Sequence, residues 1–194
     1  RSVEHAAHLL PIRNADGVPP PTVVGLVRAW ASVAPEAAVI DDLIERLLGA
    51  GTFVCPMLFA TERWCSLDDM VHEPHLETMT AVSPHAKHFL QMRQPMGMMV
   101  GRRFLQSRLG IPALSRAEKA EAQRGLDVLR AVVARLHRSG VPIVAGSDTP
   151  MPSVVPGYSV HEEIARLAEA GLGADGALAA ATSVAARLLR LDGE

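Results

Sequence analysis

Apolar positions along the chain recur with two different periods. Short unbroken runs rich in Val, Phe and Ile occupy residues 52–58 and 141–146, each close behind a glycine, and a shorter run covers residues 2–5. Runs of this length bounded by turn residues predict β-strands. Between them the spacing becomes helical. From Pro35 onward, Val39, Ile40, Leu43, Ile44 and Leu47 repeat at three- and four-residue intervals until Gly49 and Gly51, which predicts a helix with proline at its start and glycine at its end. A second helix is predicted from Ser115, where Ser115 and Glu118 have the spacing of a capping box, with Leu126, Leu129, Val133 and Leu136 as its buried stripe and Gly140 as its stop. A third covers 161–170, with Ile164, Leu167 and Ala168 on one face and Gly171 suited to a left-handed end, and a last one covers 175–191.

Strands alternating with helices of this length predict an α/β class, because parallel strands need long crossovers that return the chain to the same edge in the right-handed sense. No repeat of fixed period is visible, and Val18-Pro19-Pro20-Pro21 is the one short biased stretch. Residues 59–84 are the most irregular, with Pro74, Pro84, several acids and clustered histidines. They follow a strand's C-terminal end, where α/β proteins keep binding groups, and are expected to form a lid.

Composition narrows the function classes. At 194 residues and 48% hydrophobic, the chain can bury a substantial core, and 19 basic against 21 acidic residues leave no cationic field to favour nucleic acid or an anionic membrane. Cys55 and Cys65 are too few and too far apart for a disulfide framework or a Cys-rich zinc site, so reduced thiols are expected. No apolar run reaches the roughly 18 residues of a membrane span, so no membrane partner is expected. A soluble, cytoplasmic chain is the expectation. It starts at the end of a strand and stops just past a helix, which reads as a piece cut at both ends.

The sharpest local signal is the segment from Gly140 to Pro150, an apolar strand ending in Ser147-Asp148-Thr149. A carboxylate on a strand's C-terminal rim can bind a metal or accept a proton from water, and it can equally cap the following loop through its own backbone. His5 ends the first run in the same way, although a lone histidine is more often structural than a ligand. If the three runs are consecutive barrel strands, His5 and Asp148 lie on strands separated by one, able to approach one ion from two sides.

These residues carry a family resemblance. Ser2-Val3-Glu4-His5 resembles the S-[IV]-E-H segment at the sixth barrel strand of the metal-dependent amidohydrolase superfamily, in its imidazolonepropionase-like and prolidase-like branch. Residues 141–149 are similar to that branch's eighth strand, G-V-P-[IV]-x-x-G-[ST]-D-[TA]. His161-Glu162-Glu163-Ile164, Glu169-Ala170-Gly171-Leu172, Ala177 to Thr182 and Ala185 to Leu189 resemble its H-x-E-[LI]…E-A-G-[LM]…A-L-x-A-A-T…A-x-L-L ending. The resemblance spans most of the chain and is most specific from Gly140 to Leu191.

It implies a partial (β/α)8 TIM barrel, with residues 1–194 as the C-terminal part of the barrel domain carrying strands six to eight. It implies His5 as a metal ligand, and Asp148 as a ligand that also takes the proton from the attacking water. The cofactor implied is a divalent metal of the zinc type. The activity implied is hydrolysis of C–N bonds in a small amide, peptide-like or cyclic amide substrate. The family's H-x-H pair, its fourth-strand Lys or Glu and its fifth-strand His would all precede Arg1, and no H-x-H occurs in this sequence. A complete barrel takes about 250 residues, so the piece alone is expected to be marginally stable. The competing expectation is a non-catalytic partial α/β domain completed by another polypeptide segment.

Other motifs read as structural. Gly171 to Gly176 fits G-x-G-x-x-G but follows a helix instead of a strand. Gly157-Tyr158-Ser159-Val160-His161 lacks the second glycine of a nucleophile elbow. Pro74 breaks the helical spacing of His72-Glu73-Pro74-His75. His85 and His88 read as a surface pair. Met92, Met96, Met98 and Met99 read as adaptable packing around Pro95 and Gly97, with Trp64 in the preceding loop.

Overall fold

The computed structural model describes residues 1–13, 17–66, 114–149, 154, 156–191 and 193. The readings of His72 to His75, of His85 and His88, of the four methionines and of the lid from residue 67 onward lie outside the described residues.

Strand β1 (Ser2–Glu4) pairs in parallel with β2 (Phe53–Cys55), with Ser2, Val3 and Glu4 opposite Phe53, Val54 and Cys55. The 141–146 run joins the other edge of β2 through a single parallel bridge, Val54 to Ile143. There the Val54 N–H donates to the Pro142 carbonyl and the Val144 N–H to the Val54 carbonyl, both at 2.9 Å. The spatial order is thus β1, β2 and the Ile143 segment.

The predicted strand at 52–58 is shorter in the structure. Pro56 has no amide proton to extend a ladder, Met57 turns into the left-handed region (φ 53°, ψ 49°), and α3 (Leu58–Cys65) begins at once. The opening of the predicted lid is therefore helix, and Trp64 lies on it, packed against the core. No local side chain caps α3. Its first amides are taken by a distant carboxylate, which sequence periodicity cannot reveal.

Two helices enter the sheet through the same turn. Helix α2 (Ala38–Gly49) ends with Gly51 N–H donating to the Leu48 carbonyl and Thr52 N–H to the Leu47 carbonyl. Helix α4 (Arg116–Arg138) ends with Gly140 N–H to His137 and Val141 N–H to Leu136. This is the Schellman pattern, which needs a left-handed residue after the cap, and Gly51 (φ 58°) and Gly140 (φ 88°) supply it. Each glycine releases the chain directly into an extended segment. In α2 the buried face is Ile40, Leu43, Ile44 and Leu47, while Val39 from the predicted stripe is 42% exposed. The capping box at Ser115 forms with both bonds, the Ser115 N–H donating to Glu118 at 2.9 Å and the Glu118 N–H to Ser115 at 3.3 Å.

Beyond the third segment come α5 (Ser159–Leu167), a π turn (Ala168–Leu172) with Gly171 at φ 107°, α6 (Gly173–Ala181) and α7 (Ser183–Leu189). The single helix predicted at 175–191 is broken at Thr182 (φ −127°, ψ −92°), whose hydroxyl donates back to the Leu178 carbonyl at 2.8 Å. That local bond competes with helix continuation. Among the described residues no single helix is long and apolar enough to cross a membrane.

Helix α1 (Val23–Trp30), capped by the Thr22 hydroxyl accepting from Gly25 N–H at 3.0 Å, lies along α4. The contact is close enough that a Cβ added at Gly125 would overlap the Val27 carbonyl oxygen and stand 2.8 Å from its carbon. Trp30, fully buried, donates its indole N–H to the Ala7 carbonyl at 2.9 Å and so ties α1 to the turn after β1. Gly125→Ala gains up to about 1 kcal/mol of helix propensity but drives Cβ into backbone that has no rotamer to change. A net loss of about 3 kcal/mol is expected, read as a lower urea midpoint with α1 displaced from α4.

Candidate functional site

Each of the three extended segments leaves the sheet through a non-glycine residue at positive φ: His5 (61°) after β1, Met57 (53°) after β2 and Asp148 (56°) after the Ile143 segment. Such residues cost on the order of 1–3 kcal/mol each and persist only where the surroundings fix them, which is commonest at functional sites. All three lie just past the C-terminal ends of parallel segments, where open α/β sheets gather ligand groups.

The structure brings the two sequence-predicted site residues together across β2. His5 Nε2 stands 3.9 Å from Asp148 Oδ2, with side chains 29% and 32% exposed. The pair is thus reachable from solvent yet shielded on one side. Backbone bonds hold His5, its N–H donating to the Cys55 carbonyl and the Ala6 N–H to the Pro56 carbonyl, both at 2.9 Å. On the opposite flank the Ala145 N–H donates to the Ala180 carbonyl at the end of α6, at 3.0 Å, which fixes the approach to Asp148.

A second histidine that the sequence reading did not single out adjoins the pair. The His8 ring meets His5 edge-on, centroids 6.0 Å apart and planes at 78°. Partial burial, and then the neighbouring His5, hold the His8 pKa below the ordinary histidine range, so its imidazole is neutral at pH 7. The spacing His5-x-x-His8 after a strand was the available signal.

Cys55 lies against this site. Burial pushes its thiol strongly upward, followed by the carboxylates of Glu4, Glu163 and Asp148, so it is an inert protonated thiol and no nucleophile. Cys65 is likewise raised to about 12, by burial and then by Glu62, and both cysteines are free. Of the motifs read as structural, Ser159 is buried on the first turn of α5 and His161 is exposed on the same helix, while Gly171 to Gly176 spans the π turn and the start of α6.

The residue that periodicity missed is Glu163. It shares the buried face of α5 with Ser159 and Leu167, and its side chain is completely enclosed. An acid at the i+4 position of an apolar stripe was the signal. Its two oxygens accept from the N–H groups of Leu58 at 3.0 Å and Phe59 at 2.7 Å. Burial pushes its pKa up to about 7, the two amides and Arg166 opposing and Glu62 adding to the rise. Glu62 in turn lies between Arg130 at 2.5 Å and Arg166 at 2.9 Å, joining α3, α4 and α5.

No group of three or more His, Cys, Asp or Glu among the described residues could hold a metal ion. A cavity between α3 and α4, lined by residues including Glu62, Arg63, Lys119 and Arg130, borders neither His5 nor Asp148. The site as described is a two-residue pair on an open rim.

Gly146 makes this rim possible. A Cβ there would overlap Cys55 Sγ and stand 3.5 Å from Met57 Cε. Its φ is ordinary, so only space forbids alanine. Gly146→Ala is expected to cost about 1–3 kcal/mol by overpacking, and most of that cost should vanish beside Cys55→Ala, a coupling that denaturation of the double-mutant cycle reads directly. No protein-family model, curated protein or solved structure matches the chain.

Proposed function

We propose that the chain is the C-terminal part of an amidohydrolase-like (β/α)8 barrel, and that His5 and Asp148 are two ligands of a divalent metal of the zinc type in a C–N hydrolase. The observation that carries this reading is the 3.9 Å approach of an imidazole and a carboxylate from the two segments flanking β2, at the C-terminal rim. The donor chemistry suits zinc. Ligand bonds of about 2.1 Å in a tetrahedral site separate two donors by roughly 3.4 Å, so the pair needs to draw together by only about half an ångström. Two ligands cannot hold an ion, and the reading therefore requires further ligands from outside the described residues.

A zinc-type ion bound there would lower the pKa of its water towards about 7 and polarise the substrate carbonyl. The chain's own part is proton handling and orientation. Asp148 Oδ2 accepts the proton of the attacking water and delivers it to the leaving nitrogen of an amide, peptide-like or cyclic amide substrate. His5 acts as a ligand through its imidazole, which meets the His8 ring edge-on. In this reading the protein works in the cytoplasm, which suits two free buried thiols.

The other reading, a non-catalytic α/β piece completed by another segment, draws on the lack of a third ligand among the described residues and on exposed Leu178, Leu189 and Leu191. Metal analysis and amide-hydrolase assays of the full-length protein separate the two. The metal reading expects a bound divalent ion, lost or weakened in His5→Ala, and an Asp148→Asn variant slowed by about 10²–10⁴-fold in kcat. A metal-free, inactive full-length protein overturns it in favour of the non-catalytic piece, and full activity in Asp148→Asn overturns the catalytic role of Asp148.

A further inference from the structure

We infer that Glu163 is a positioning residue for the His5–Asp148 pair, acting through the Pro56–Met57 turn that its carboxylate holds. The inference rests on reading that pair as the functional site.

The physical chain has three links. Both oxygens of a fully enclosed carboxylate are engaged by consecutive amides, Leu58 at 3.0 Å and Phe59 at 2.7 Å, which fixes the first turn of α3 where no local cap exists. That turn continues backward without slack through left-handed Met57 and rigid Pro56 into β2. From the turn, one flank carries His5, because the Cys55 and Pro56 carbonyls accept the N–H groups of His5 and Ala6. The other flank carries Asp148, because Gly146, two residues before it, packs with no spare room against Cys55 Sγ and near Met57 Cε. A displacement of the turn therefore moves both members of a 3.9 Å pair.

The link is asymmetric in chemistry. An ionised Glu163 offers acceptors to both amides; a protonated one turns an O–H towards one of them and loses a bond. The groups facing it are Glu62 from α3, Arg166 from its own helix and the protonated Cys55 from β2. Arg166 and Glu62 bond each other, so they change little when Glu163 titrates. Burial puts that titration near neutral pH, where a change in the pair would be felt.

The test is side-chain and amide NMR on the chain, with Glu163→Gln as the near-isosteric variant. The expected result is amide exchange at Leu58 and Phe59 faster by about tenfold or more, together with a moved His5 ring resonance and a loss of its response to Asp148→Asn. A merely structural glutamate would lower the unfolding midpoint and leave the His5 ring and its response to Asp148→Asn unchanged in the folded protein, and that result overturns the inference. Should Glu163→Gln fail to fold, the unmodified protein still decides. The Leu58, Phe59 and Ala6 amides are expected to titrate with the Glu163 carboxyl carbon at one midpoint, and an Ala6 amide that ignores that midpoint overturns the inference. Failure of the metal reading looks different: a full-length protein without bound ion, in which Glu163→Gln still moves His5.

Discussion

Everything at the rim depends on β2 being hydrogen-bonded on both edges. Its three residues are divided by the strand's alternation: Phe53 and Cys55 address β1, while Val54 gives and receives both bonds to the Ile143 segment. In a parallel pair the register is set by these bonds and cannot slip by one residue without turning every side chain to the other face. His5 and Asp148 are 143 positions apart in sequence and share no direct backbone bond. They meet because each is counted off from the same central strand.

What delivers the flanking segments to β2 is helix packing, and the decisive contact there is a missing side chain. At Gly125 the α4 backbone accepts the Val27 carbonyl at a distance no other residue would allow. That approach lets Trp30 reach the Ala7 carbonyl, so the turn carrying His5 and His8 is anchored from the helical side as well as from β2. The Arg28 contacts to Glu118 and Glu121 at the same crossing are partly exposed, where solvent screening leaves an ion pair little net worth. Fit, not charge, sets the crossing.

The parts of this arrangement legible in the sequence are those whose cause is local. The Ser115 and Glu118 box lies within four residues, and Gly51 and Gly140 stop helices by their own backbone freedom, so spacing alone reveals them. The strands are legible as short apolar runs. Their true ends are not, because Pro56 and Met57 turn under the hold of Glu163, more than a hundred residues away. Gly125 looks like an ordinary weak point in a helix until α1 lies across it. Thr182 hides in an alanine-rich stretch that periodicity reads as continuous. His5 and Asp148 were legible as rim residues, and their distance required the fold.

The alternation of β2 also bears on what kind of sheet this is. Val3, Val54 and Ile143 form one row and all join the helical core. One residue further, Glu4, Cys55 and Val144 point to the opposite face, where Cys55 and Val144 are buried and a carboxylate stands beside a thiol that donates to it. A sheet with one face packed and the other wet would show a polar row there throughout. This row is mixed, with two enclosed members and one exposed acid. The exposed Glu4 belongs to β1, whose free edge has no partner among the described residues. The burial of that row thus falls off towards the free edge of β1.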